Sequence, residues 1–159
     1  TGADIDMIRS HKRPLKEGID FGYVGDVDHA NGNMLHTLIE AGIVPVMAPL
    51  THDGNGNILN TNADTIASET AKALAPYYDV TLMFCFEKKG VLSNPDDDDS
   101  VIPSITPEEF KALVADGTVA GGMIPKLENS FNAIEHGVKQ VVITLASSID
   151  GKHGTILRG

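Results

Sequence analysis

The chain has 159 residues, 42% hydrophobic and 21% charged, which excludes wholesale disorder and suits one domain with a sizeable core. Twelve Lys and Arg against 22 Asp and Glu give a formal net charge of −10, which argues against a nucleic-acid binder. The lone cysteine, Cys85, excludes an intrachain disulfide and fits a reducing compartment, and no apolar run nears the ~18 residues of a bilayer span.

In chain order, Phe21, Tyr23 and Val24 read as a short strand ending at Gly25-Asp26. Met34, Leu35, Leu38 and Ile39 lie at helical spacing, and Gly42 suits the position just past that helix. Ile43, Val44, Val46 and Met47 predict a buried strand, with Pro45 awkward in its middle. The run 53–57, Asp-Gly-Asn-Gly-Asn, is a turn cluster. Ala63, Ile66, Ala67, Ala71 and Leu74 mark the next helix. Residues 80–86 form a continuous apolar run of the kind buried on both faces, which makes Cys85 a small buried hydrophobe.

Residues 96–99 are four aspartates, a self-repelling and therefore solvated loop without the spacing of a calcium loop. Thr106-Pro107-Glu108-Glu109 is a capping box, and Gly117 ends its helix. Gly121-Gly122-Met123-Ile124-Pro125-Lys126 opens another helix, closed by Gly137. Residues 138–145 predict a last buried strand, with Thr155–Leu157 as an added edge. The alternation predicts an α/β fold, a three-layer α/β/α sandwich with a mostly parallel sheet. Its core is expected to include Val44, Val46, Leu82, Phe84, Val142 and Ile143.

Ligands in open parallel sheets bind beyond the carboxyl ends of the strands. Lys126 in the first turn of a helix opposes the helix dipole unless an anion sits there, and Gly121 and Gly122 let a ligand approach the backbone. A solvated surface lysine explains the same spacing equally well. Asn60, Asn62 and Asp64, spaced by two, share one side of an extended segment and could grip a carboxylate. An ordinary helix cap at Asn62 is the competing reading.

Four blocks carry a resemblance: Gly25-Asp26-Val27, Gly42-Ile43-Val44-Pro45-Val46-Met47-Ala48-Pro49, Asn60-Thr61-Asn62-Ala63-Asp64, and Gly121-Gly122-Met123-Ile124-Pro125-Lys126. In order and separation they are similar to the acetylglutamate kinases of arginine biosynthesis, in the amino-acid kinase superfamily with its carbamate kinase-like fold. The resemblance implies transfer of a phosphoryl group from ATP to the side-chain carboxylate of an N-acylglutamate. It implies Lys126 and Asp64 as catalytic residues, with Lys126 on the ATP phosphates and Asp64 organising lysines. Asn60 and Asn62 would bind substrate, and Glu87, Gly90, Gly121, Gly122 and Met123 would serve the nucleotide. Mg²⁺ would be held mainly by the ATP phosphates, with no protein metal site. The complete protein would be a cytoplasmic homo-oligomer with no nucleic-acid or membrane partner.

The family pattern departs here in three places. Phe86 stands where a threonine is usual, with Glu87 in place of the following aspartate. Residues 147–155 are shorter than usual. The family's lysine-containing glycine loop and substrate-gripping arginine have no match, so residues 1–159 are expected to be one domain, the nucleotide-binding half, with the substrate half missing. Alone it is expected to be inactive. Another amino-acid kinase relative, or a catalytically silent ATP-binding module, are the alternatives.

Overall fold

Two compact units, Thr1–Tyr77 and Tyr78–Gly159, make up the chain, seen in a computed structural model that describes residues 1–150 and 153–159. Residues 151 and 152, inside the short 147–155 stretch, lie outside the described residues.

The first unit runs β1 (Ile8–Lys12), β2 (Gly25–Ala30), α1 (Gly32–Glu40), β3 (Leu50–His52), β4 (Ile58–Asn60) and α2 (Ala63–Leu74). Its sheet has the order β2-β1-β3-β4. β1 pairs antiparallel with β2 and parallel with β3, and β3 and β4 are antiparallel. Met7, Ile8, Ala30, Leu35 and Ile66 form the core, with Leu38, Met47 and Leu74 packed against it. The Asn31 side chain accepts the Met34 N–H and starts α1, and Gly42, at φ +78°, takes the left-handed position beyond its end as expected.

Two strand expectations fail in this unit. Residues 43–48 form no strand, and Val44 and Val46 are 83% and 89% exposed rather than core. Pro45 has no N–H to give a ladder, and alternating valines look the same in sequence whether or not a partner strand exists. The first strand after residue 20 begins at Gly25, leaving Phe21 and Tyr23 exposed. Gly18 and Gly22, both at positive φ, turn the chain where the aromatics suggested extension.

The second unit runs β5 (Thr81–Phe86), β6 (Ser104–Ile105), α3 (Pro107–Ala115), α4 (Met123–Glu135), β7 (Gln140–Leu145) and β8 (Thr155–Leu157), in sheet order β5-β7-β8-β6. β5 and β7 are parallel and in register from Thr81 opposite Gln140 to Phe86 opposite Leu145. β7 and β8 are antiparallel, and β6 and β8 are parallel. Val141, Val142 and Ile143 are fully buried, and Leu82 and Phe84 join them as expected. The capping box is complete: Glu109 N–H donates to Thr106 Oγ1, and Thr106 N–H to the Glu109 carboxylate. Gly117 and Gly137, at φ +82° and +98°, follow the ends of α3 and α4.

The α/β class therefore holds, with parallel pairs in both sheets. Two details differ. β8 lies between β7 and β6 rather than at an edge. β5 is the end strand of its sheet, so its side chains alternate: Leu82 and Phe84 point inward while Thr81 and Cys85 are exposed. Cys85 is thus not a buried hydrophobe.

Candidate functional site

In the second unit a recess of about 250 Å³ opens where β5 ends and α4 begins. Phe86, Val91, Leu92, Val119 and Met123 give it apolar walls, and Lys88 brings the charge. Apolar walls with a few polar groups at the mouth suit a flat heterocycle carrying a charged tail. β5 ends at Phe86 and the chain bends over 87–90, which puts Phe86 and Lys88 on the recess and leaves Glu87 between them off its lining.

Gly90 lines the recess as well, and packing requires a glycine there. A Cβ at this position would stand 2.7 Å from Thr155 Oγ1 and 2.9 Å from Val101 Cγ1. Thr155 was not singled out from the sequence. Its hydroxyl accepts the Val91 N–H at 2.8 Å and donates to the Ile102 carbonyl at 2.7 Å, pinning the loop that forms one wall.

Gly121, at φ +57°, and Gly122 precede α4, and a Cβ on either would meet nothing within 4 Å. Their backbone is open to a ligand. Gly122 caps α4 with no side chain; the N–H groups of Met123 and Ile124 donate to the Ala120 and Gly121 carbonyls at 3.3 Å, and Pro125 has none to offer. Lys126 stands in the first turn, with Nζ 5.0 Å from the Phe84 ring centroid and 5.5 Å from that of Phe86. Lysine, recess and helix start thus meet at one place, joined by Phe86.

The aspartate run is not merely solvated. Lys88 Nζ donates to Asp98 at 2.8 Å and Lys89 Nζ to Asp99 at 2.5 Å. Hydrogen bonding to Asp98 and to Asp99 raises the pKa of Lys88 and of Lys89, and the Lys88 hydrogen bond lowers that of Asp98. Two of the four like charges are therefore neutralised by the lysines just after β5.

In the first unit Asn60 is exposed at the end of β4, its N–H donating to the Tyr23 carbonyl at 2.8 Å. Asn62 is the N-cap of α2: its Oδ1 accepts the N–H groups of Asp64 and Thr65 at 2.8 and 3.1 Å. The capping reading describes that oxygen. Asp64 is half-buried in the first turn of α2. Between the two asparagines Thr61 turns inward, its hydroxyl 3.1 Å from Thr51 Oγ1 and donating to the Gly25 carbonyl at 3.2 Å. This buried anchor holds the block's backbone, and its only trace in the sequence is a threonine out of phase with its polar neighbours.

Among the described residues no three His, Cys, Asp or Glu side chains converge as a metal cage. Also among them, no helix is long and apolar enough to cross a membrane.

Residues 1–145 match the amino acid kinase family. The chain is 67% identical over 158 residues to an acetylglutamate kinase of Phocaeicola vulgatus, an alignment covering 99% of this chain and 61% of that protein. Among solved structures, smu.665 from Streptococcus mutans UA159 superposes with a TM-score of 0.74 at 31% identity, over 96% of this chain and 57% of the other. A Giardia carbamate kinase superposes with a TM-score of 0.64 at 23% identity, over 85% and 50%, which speaks to the fold alone. The chain thus spans about 61% of the length of the curated relative it matches.

Proposed function

This chain belongs to the amino acid kinase family, and from that premise we propose that it is the nucleotide-binding portion of an acetylglutamate kinase. The complete enzyme transfers the γ-phosphoryl group of ATP to the side-chain carboxylate of N-acetyl-L-glutamate, or of another N-acylglutamate, in arginine biosynthesis. The observation that carries this reading is the meeting of an apolar recess with Lys126 and the uncrowded Gly121-Gly122 turn before α4, all within one unit.

In this reading the recess takes the adenine and Lys126 faces the phosphates. A substrate carboxylate oxygen attacks the γ-phosphorus, the bond to the bridging oxygen breaks, and ADP leaves with the electron pair. An acyl phosphate remains on the substrate. Such a transfer needs positioning and charge neutralisation more than covalent help from the protein. Lys126 supplies a full positive charge, and the Gly121-Gly122 turn lets the phosphates approach the start of α4. Asn60 and the Asn62 amide hold the substrate, and Asp64 orders lysines near the transferred group. Glu87 acts from the rim of the nucleotide site. Mg²⁺ would be held mainly by the ATP phosphates. The complete protein is read as a cytoplasmic homo-oligomer.

A coupled ADP-release assay tests this. The 159-residue chain alone is expected to give no turnover with N-acetyl- or N-succinyl-glutamate. The same chain within a polypeptide of the relatives' length is expected to turn over with one of them. Turnover with aspartate, glutamate or carbamate instead would point to another branch of the family. ATP binding without turnover on any of them would leave a silent nucleotide-binding module.

A further inference from the structure

We propose that Phe86, with Phe84 beside it, is a positioning residue for Lys126, and that it tunes how strongly the site holds the phosphate tail of its nucleotide. The proposal rests on the reading that Lys126 faces those phosphates. Phe84 and Phe86 stand two apart on β5, so their rings share one face of the strand. Lys126 Nζ lies over both, at 5.0 and 5.5 Å from the centroids. An ammonium within about 6 Å of a ring centroid is attracted by the ring's quadrupole.

The two rings differ in setting. Phe84 is 4% exposed and belongs to the core, whereas Phe86 is half-buried and also walls the recess. Phe86 is therefore the ring that touches both the nucleotide space and the lysine.

The consequence follows from the lysine's flexibility. A lysine's four-carbon stem has many rotamers, and ordering it on a ligand costs entropy. Two rings that already hold the ammonium beside the recess wall at Phe86 meet part of that cost before the ligand arrives. The backbone is fixed as well: the Lys126 carbonyl accepts the Ser130 hydroxyl at 2.7 Å inside α4. At position 86 a threonine could bond a nucleoside but could not hold an ammonium in this way. The phenylalanine thus exchanges a polar contact for control of the lysine.

The test measures equilibrium affinity for ATP and for adenosine with the full chain, taking their ratio as the phosphate-dependent part of binding. The variants are Phe86→Leu, Phe86→Tyr, Lys126→Met and the double variant Phe86→Leu/Lys126→Met, each checked for an intact thermal transition. Phe86→Leu is expected to lower the ratio by about three- to tenfold, on the scale of an exposed or partly desolvated cation–π contact. Phe86→Tyr keeps the ring and should keep the ratio. In the Lys126→Met background Phe86→Leu should no longer change it.

A second readout needs no ligand. The ε-methylene protons of Lys126, assigned by their loss in Lys126→Met, should be shifted upfield by the rings and return toward the ordinary lysine position in Phe86→Leu. An unchanged ratio in Phe86→Leu beside a lowered one in Lys126→Met would overturn the proposal and leave the nucleotide reading standing. So would an equal effect of Phe86→Leu in both backgrounds. No effect of Lys126→Met, or no ATP binding by the unsubstituted chain, would overturn the reading and the proposal together.

Discussion

Gly90 and Thr155 are packed so closely that a single added Cβ at Gly90 would fall 2.7 Å from the threonine hydroxyl. That hydroxyl ties Val91 to Ile102 through two hydrogen bonds. Gly90→Ala is expected to force one of them apart and to destabilise the second unit by about 1–3 kcal/mol, the scale of overpacking. At this chain length each 1 kcal/mol lowers Tm by roughly 2–4 °C. A thermal melt reads this directly, and an unchanged Tm would show that the loop yields without strain.

Asp64→Asn separates a catalytic role from a structural one. Asparagine keeps the size, and the cap at Asn62 is untouched, so the loss of charge near the helix start should cost only about 0.3–1 kcal/mol. In a polypeptide of the relatives' length, kcat is expected to fall by at least about 100-fold with the melting transition retained. Residual activity that merely tracks the folded fraction would assign Asp64 to the scaffold.

Arg13 and Asp26 give a pH prediction in the first unit. The Arg13 guanidinium donates to Asp26 at 2.6 Å and holds its carboxyl below the ordinary 3.8, chiefly through that hydrogen bond and against some desolvation. The depressed folded value means the contribution is complete above the ordinary carboxylate pKa and fades as pH falls through the folded one. Both side chains are more than a third exposed, so screening keeps the contribution under about 1 kcal/mol. The Tm gap between the unsubstituted chain and Arg13→Ala should be steady from neutral pH down to about 4 and close below it. A gap undiminished between neutral pH and pH 2 would make the arginine's role one of packing.

The helices could be read in advance because their signals are local. Thr106 with Glu109, and the glycines at 42, 117 and 137, act within a few residues of where they stand. Strands depend on partners elsewhere: the apolar runs of β5 and β7 were legible, whereas the first unit's strands were not. Val44 and Val46 have the composition of a core strand and lie exposed. β1 was missed because a buried Ser10 breaks its apolar alternation.

The site divides the same way. Lys126 was visible as a charge in the wrong place on a helix. Phe86 stood out only as a departure, because the contact that explains it crosses from β5 to α4. Thr155, on the last strand, was invisible because its partners lie 53 and 64 residues earlier in the chain.

The most direct test is the turnover of Lys126→Ala in a polypeptide of the relatives' length, measured as ADP release with N-acetyl-L-glutamate. If Lys126 neutralises the phosphates during transfer, kcat falls on the order of 10²–10³-fold, as for loss of one preorganised charge donor. A fall of less than about threefold, with the protein folded, would remove Lys126 from the mechanism and contradict the account.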